Sequence, residues 1–519
     1  MIAVDAPATR ALRAWRAAEQ TFDRAFGAPS NPLRQLGTLG FLAFWLLALS
    51  GIWLYAVLDT SASGAYASID ALSRSPWSPG GLVRSLHRYA ADAFVVFTAL
   101  HGLRELLHGR WRRFRRFSWW TGTALLPLIP VSAVGGFWLA WDRLGQFSAV
   151  ATAEWLDALP CLANPLARNF LVNAAVSDRL FSLFVFVHLG VPLLGLFGLW
   201  FHIQRITQAA VFPPRALALG TAATLLALAV VAPVAGQGPA DLSRVPDVLA
   251  LDWWLLFVHP LMYTSSSAVT WTLAMGAWAA LMALPFLPEH RKAPAVAVVD
   301  PANCNGCRRC FVDCPYAAIT MRAHPDGRVG RELAVVDADL CASCGICAGS
   351  CPSSTPFRSG QALHTGIDMP QWSVNDLRQQ LRDGLHAMAV PQPMVLFTCA
   401  QGADADTLAA SDLLVLPLIC TGQLPPSFVE YALRDGASGV IVASCRDGGC
   451  AYRLGARWTA ERLTGQREPH LRPATAAALR RVEADAGETP ALQASVQAMR
   501  QNLNQFKAPP GPTPKMPHG

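Results

Sequence analysis

Several signatures are missing from this 519-residue chain, and each absence removes a class of function. No glycine-rich dinucleotide fingerprint opens a strand-to-helix turn, and no flavin motif occurs. No constellation of nucleophile, base and acid suggests hydrolysis. Solenoid repeats are absent, and no output module of a signalling protein is visible. The first 36 residues lack a signal peptide's basic start, apolar run and small-residue cleavage site. They read as an amphipathic surface helix ending at Asn31–Pro32. Charge is also scarce: 15% of residues are charged, whereas 52% are hydrophobic.

The apolar residues gather before residue 290, in runs at Leu39–Leu58, Ser85–Leu107, Trp119–Trp141, Leu180–Phe201, Arg215–Ala235 and Val269–Phe286. Each is near the length that crosses about 30 Å of hydrocarbon, so six transmembrane helices are expected. Between Arg104 and Arg116, six arginines face one acid, Glu105. Arg205 and Arg215 flank a later loop, and Arg291 and Lys292 follow the sixth run, whereas the loops at Asp59–Asp70 and Asp142–Asp157 are neutral or acidic. Basic loops stay in the cytoplasm, which places both ends there. The net charge of +7 is then topological, and nucleic-acid binding is not indicated.

Four histidines stand out in or directly after the apolar runs: His87 with His101, and His188 with His202, each pair fourteen residues apart. Fourteen helical steps rise about 21 Å and return to within about 40° of the starting face. Each helix therefore offers two imidazoles on one side, one toward each membrane surface. Histidines at membrane depth are expensive unless they serve a site. Two facing helices of this kind suit axial ligation of two stacked haems. Gly37 with Gly51, and Gly122 with Gly136, repeat the interval on the first and third runs. Glycine there would let a porphyrin face approach the backbone, although small residues also pack membrane helices.

Residues 20–290 resemble cytochrome b of the quinol-oxidising bc complexes. The resemblance rests on Asn31-Pro32-Leu33-Arg34, Leu86-His87-Arg88, His101-Gly102-Leu103-Arg104 and Trp141-Asp142-Arg143-Leu144-Gly145-Gln146-Phe147. It implies an outer haem on His87 and His188 and an inner one on His101 and His202, with Arg84 and Arg104 near the propionates. Arg104 reads equally well as a topological arginine. Asp92 could relay protons or simply make a local hydrogen bond. Leu251-Asp252-Trp253-Trp254 resembles the family's outer quinol-site segment, Asp252 standing for its glutamate and Leu251 for its proline. Asp252 would exchange a proton with a quinol there; an interfacial aromatic belt is the plainer explanation of the tryptophans. A homodimer follows by analogy.

Cysteine carries the remaining signal. Cys304, Cys307, Cys310 and Cys314 precede Pro315, and Cys341, Cys344, Cys347 and Cys351 precede Pro352. This is the two-cluster bacterial ferredoxin pattern, in which the fourth cysteine of each run ligates the other cluster. One [4Fe–4S] cluster is expected on Cys304, Cys307, Cys310 and Cys351, the other on Cys341, Cys344, Cys347 and Cys314. Farther on, the β-rich runs Met394–Phe397, Leu413–Ile419 and Gly439–Ala443 each end near a cysteine: Cys399, Cys420 and Cys445. Helical patterns such as Pro426–Leu433 alternate with them, as in a parallel α/β sheet with its site at the strands' carboxyl ends. Cys450 supplies a fourth thiolate, enough for a [2Fe–2S] cluster; structural zinc is the alternative. This segment resembles the delta subunit of methyl-viologen-reducing hydrogenase through Cys420-Thr421-Gly422, Gly436-Ala437-Ser438-Gly439-Val440 and Cys445-Arg446-Asp447-Gly448-Gly449-Cys450-Ala451-Tyr452. Thr398 and Gly402 stand where that family has cysteines. The resemblance implies electron exchange with the flavin of a heterodisulfide-reductase-like partner. Cys161 reads as a packing thiol.

The expected organisation is a surface segment (1–36), a six-helix all-α membrane bundle with a four-helix dihaem core (37–290), an α+β ferredoxin domain (295–360), an α/β parallel-sheet iron–sulfur domain (390–500) and a disordered tail (506–519). The expected function is electron transfer between a cytoplasmic flavo- or iron–sulfur partner, docking on 390–500, and membrane quinone in a prokaryotic cytoplasmic membrane. The alternatives are a non-catalytic anchor and conduit of a larger complex, and a redox sensor.

Overall fold

The computed structural model describes residues 10–160, 171, 176–204, 206–246, 248–288, 295–327, 329–353 and 363–505. Cys161, Arg291, Lys292 and the tail from 506 lie outside the described residues. Two compact units form: residues 11–205 with 209–288, and residues 1–10 and 206–208 with 289–519.

The first unit is helical: α1 Arg10–Phe26, α2 Leu36–Val57, α3 Ala65–Arg74, α4 Pro79–Leu107, α5 Arg116–Leu125, α6 Leu128–Ala140, α7 Arg143–Asp157, α8 Asp178–Gln204, α9 Arg215–Val231, α10 Val258–Thr264 and α11 Ser267–Ala283. All six apolar runs are helical, but the third is two helices. Pro127 lacks an N–H, and Pro130 removes another, so the ladder breaks between α5 and α6. Leu36–Val57, Arg113–Ala140, Asp178–Gln204 and Ser267–Phe286 are long and apolar enough to cross a membrane. The other two differ from expectation. α4 carries Arg84, Arg88, Asp92, Arg104 and Glu105 along its length. α9 has 17 residues, about 26 Å of helix against about 30 Å of hydrocarbon. α2 packs along α4, while α5 and α6 pack along α8. Outward-facing Ile52, Phe186 and Leu219 are exposed, as suits lipid.

α1 is amphipathic as expected, and it is also fastened down. Glu19 is buried and accepts from Arg104 at 2.7 Å, and Asp23 pairs with Arg34 at 2.7 Å. Asn31 caps the following turn at Leu33 N and donates to Glu19 O at 2.8 Å.

The second unit begins with two small antiparallel ladders. β1 Val298–Val299 pairs with β4 Ile367–Asp368, and β2 Ile319–Ala323 with β3 Glu332–Val336. Short helices α12 Arg309–Val312 and α13 Ile346–Ser350 carry Cys310 and Cys347. Next come α14 Val374–Ala387, β5 Met394–Cys399, β6 Leu413–Leu418, α15 Ser427–Arg434, β7 Gly439–Ser444, α16 Gly455–Leu463, β8 Leu479–Glu483 and α17 Thr489–Gln505. The four strands form a parallel sheet in the order β6-β5-β7-β8. β5 and β7 are buried along their whole length, which is why they read as continuous apolar runs. The structure adds α14, before the expected boundary at 390. A Ser373–Asp376 capping box starts it, and it buries Leu377, Leu381 and Leu385.

Candidate cofactor sites

The helix pairs bring the four histidines together two by two. His87 on α4 and His188 on α8 have ring centroids 6.2 Å apart, at 69°. His202 lies close to His101. The four glycines stand directly behind the rings. A Cβ on Gly51 would lie 3.1 Å from His87 Cε1, and one on Gly37 would lie 3.4 Å from His101 Cε1. The corresponding distance is 3.0 Å for both Gly122–His202 and Gly136–His188. The clearance thus serves the imidazoles themselves, so that each ring sits flush against a neighbouring backbone.

Hydrogen bonds orient three of these rings. His87 Nδ1 is 2.9 Å from Ser50 Oγ, whose own proton goes to Leu46 O at 2.6 Å. His202 Nδ1 is 3.0 Å from Thr121 Oγ1, which donates to Phe117 O at 2.9 Å. His188 Nδ1 is 2.8 Å from the carbonyl of Ser132. The Ser132 carbonyl can only accept, so Nδ1 of His188 carries the proton and Nε2 keeps its lone pair. Ser50 and Thr121 leave the same tautomer to His87 and His202 by giving their own protons to Leu46 O and Phe117 O. That is the tautomer an axial ligand needs, with the outer partner that usually accompanies it. The donor set therefore fits haem. Ser50, Thr121 and Ser132 escaped the sequence reading; the only signal was the hydroxyl residue directly before Gly51 and Gly122, while Ser132 acts through its backbone carbonyl.

The charged residues near these helices are engaged elsewhere. Arg84 donates to Ser73 Oγ and to Val234 O. Arg104 pairs with Glu19. Asp92 accepts from Arg88 at 2.6 Å, and Arg88 also pairs with Asp252. Asp252 in addition caps its own turn, accepting from Leu255 N at 2.9 Å. Trp253 and Trp254 are 69% and 50% exposed, the disposition of an interfacial belt. Beyond them His259 is buried, with Nε2 2.9 Å from Thr152 Oγ1 and no partner for Nδ1 among the described residues.

In the second unit, Cys304, Cys307, Cys310 and Cys351 line one cavity with Met321 and Ile367. Burial, then the neighbouring Cys351, Cys307 and Cys304, push the Cys310 thiol up to about 12. Burial also raises Cys344, with Cys314 and Cys341 adding to the effect. Cys347 moves the same way from burial and from Cys344, Cys310, Cys341 and Cys314. The thiols thus gather as two crossed sets, each completed by the last cysteine of the other run. Thiols buried together resist ionising, and a bound metal would supply the opposing charge. The donor set suits iron–sulfur clusters.

The third group sits at the carboxyl end of the parallel sheet. Cys399 ends β5, Cys420 lies just beyond β6, Cys445 follows β7, and Cys450 lies in the next loop. β6 and β7 flank β5 on opposite sides, so the crevice opens where the strand order reverses. All four cysteines are buried, and Cys445 Sγ is 3.6 Å from Cys399 Sγ. Hydrogen bonds from Cys420 and Cys445 hold Cys399 well below the ordinary thiol range, while both donors are raised. Four converging sulfurs suit a soft metal centre, either a cluster or zinc.

Residues 30–210 match the family model of cytochrome b (cytochrome b/b6/petB), and residues 303–355 match that of the 4Fe-4S dicluster domain. Residues 397–507 match that of the methyl-viologen-reducing hydrogenase delta subunit. The chain resembles three redox families in tandem. Among solved structures, a chain of a hyperthermophilic respiratory Complex III is similar at 18% identity and a TM-score of 0.40, over 49% of this chain and 75% of that one. The cytochrome b-like segment and its apolar helices make this a membrane-embedded redox protein with an electron-transfer role. The cytochrome b match implies b haem, and the dicluster match implies iron–sulfur clusters.

Proposed function

We propose that this protein carries electrons between a cytoplasmic flavo- or iron–sulfur partner, bound on residues 390–500, and the membrane quinone pool. The supporting observation is the histidine arrangement: two facing pairs, each ring set against a glycine, with three of the four outer nitrogens engaged. His87 and His188 would hold an outer b haem, and His101 and His202 an inner one. Cys304, Cys307, Cys310 and Cys351 would hold one [4Fe–4S] cluster, and Cys341, Cys344, Cys347 and Cys314 the other. Cys399, Cys420, Cys445 and Cys450 would hold a [2Fe–2S] cluster. When bound, these groups supply one-electron carriers; the chain's residues fix their spacing and exclude water. Quinone takes up two electrons and two protons to become quinol. Asp252, engaged by Arg88, must leave that pair to exchange a proton. His259, with an unpartnered ring nitrogen among the described residues, is the better placed group on the same segment.

The purified holoprotein should show a bis-histidine b-type difference spectrum with two components and should exchange electrons with a soluble quinone analogue. One haem per chain with all four histidines intact would falsify the dihaem reading. Two haems without quinone exchange would favour an anchor and conduit for a larger complex. A quinone site at the outer face has an energetic signature. Electrons entering from the cytoplasm would move toward the positive side, gaining about 2.3 kcal/mol each per 100 mV. An uncoupler should then slow quinone reduction in sealed vesicles, and His259→Leu should impair it. Indifference to the uncoupler would move the site to the inner haem.

A further inference from the structure

The ferredoxin-like and hydrogenase-delta-like segments share one unit, and their contact is backbone to backbone. A Cβ on Gly349, two residues after Cys347, would lie 2.1 Å from Gly422 O, and Gly422 is two residues after Cys420. A Cβ on Gly422 would meet Ile346 Cγ1 at 2.7 Å. Cys344, Ile346, Cys420, Leu454 and Trp458 make one buried cluster, so thiols from both cysteine groups share a dry core. Tyr452 packs against this cluster and against the one formed by Cys399, Cys445, Cys450 and Ala456. The contact is also clamped. Arg462, fully buried, donates to Gly422 O at 2.9 Å and pairs with Asp313, the residue before Cys314. The other cysteine set reaches this contact only through Cys351, two residues after Gly349. Among the described residues Cys307 is exposed, and the cavity it shares with Cys304, Cys310 and Cys351 is lined from β2, β3, β4 and the 303–308 loop.

We infer that the Cys399–Cys420–Cys445–Cys450 centre exchanges electrons directly with the centre on Cys341, Cys344, Cys347 and Cys314, across the Gly349–Gly422 contact, and that the centre on Cys304, Cys307, Cys310 and Cys351 is the more remote stop. This rests on the proposal that all three thiol groups hold clusters. In each transfer one centre is oxidised as the other gains a single electron; no bond or proton moves. The two glycines are the positioning residues, because any side chain there would part the two loops. Tyr452 fills the space between the centres and keeps it free of water.

Electron paramagnetic resonance of the fully reduced holoprotein tests this pairing. The signal of the C-terminal centre should be broadened by magnetic interaction with a neighbour. Cys341→Ser should remove the broadening, and Cys307→Ser should leave it. Gly422→Val should reduce it with the iron content unchanged. An unbroadened signal in the unmodified protein, or broadening lost in Cys307→Ser and kept in Cys341→Ser, overturns the pairing. Iron and zinc analysis separates the two levels of the argument. Zinc on the C-terminal cysteines overturns both the cluster proposal and the pairing, whereas iron with an isolated signal overturns the pairing alone.

Discussion

The two units position their candidate ligands by opposite means. In the helical unit the chain's period does the work: one helix carries two histidines on one face, and a second helix repeats the pattern. In the other unit, ligands come from loops and from the ends of strands that chain folding alone brings together. A helix fixes spacing along an axis but leaves each side chain free to rotate, so those imidazoles need hydroxyls and carbonyls to aim them. Loop cysteines are aimed by their own backbone, and there the need is for a rigid frame. The first design is sensitive at the ligand and its immediate partner, the second at distant clamps.

The largest effect should therefore come from the ligands of the helical unit. His202→Ala should remove one b-haem component completely and leave the other, read by difference spectroscopy. Gly136→Val, which places a side chain against His188, should remove the other component. An intermediate effect tests the second unit through its frame. Arg462→Met leaves Asp313 buried without one of its two arginine partners, and removing one member of a buried pair costs about 3–5 kcal/mol. Denaturation of the holoprotein, followed through cluster absorbance, should show that loss; a change under about 1 kcal/mol would mean Arg467 alone satisfies Asp313. The smallest effect belongs to the aiming groups. Thr121→Val should weaken retention of the haem on His202 by about tenfold, with Ser50→Ala doing the same for His87. Equal behaviour of wild type and both variants would show that the glycine contacts alone hold the rings.

The sequence showed most of what periodicity and short motifs can carry. The fourteen-residue interval marked all four histidines and all four glycines because helix geometry turns that interval into one face. β5 and β7 were legible because strands buried on both faces are continuous apolar runs, and β6, an edge strand, because its sequence is apolar throughout. Contacts between distant segments were not. Glu19 and Arg104 are 85 positions apart, and neither carries a local sign of its partner. Arg88 binding both Asp92 and Asp252 was hidden likewise. β8 escaped notice because Leu479–Glu483 holds two arginines and a glutamate, which an edge strand tolerates and a composition reading rejects. The break after Leu125 was readable from Pro127, yet the surrounding apolar residues gave the stretch the look of one helix.

The fastening of α1 bears on how this protein can be trimmed. Dropping the first 36 residues would look harmless, since they lie before the apolar core and resemble a surface flap. The cut would take Glu19 from Arg104, a guanidinium only 5% exposed and three residues along from His101. The shortened chain would have to let water in beside that arginine or shift the end of α4, and the surroundings of His101 would loosen first. In this molecule the amphipathic N-terminal helix is a lid on the His101 end of the bundle, and a shortened chain would have to keep it.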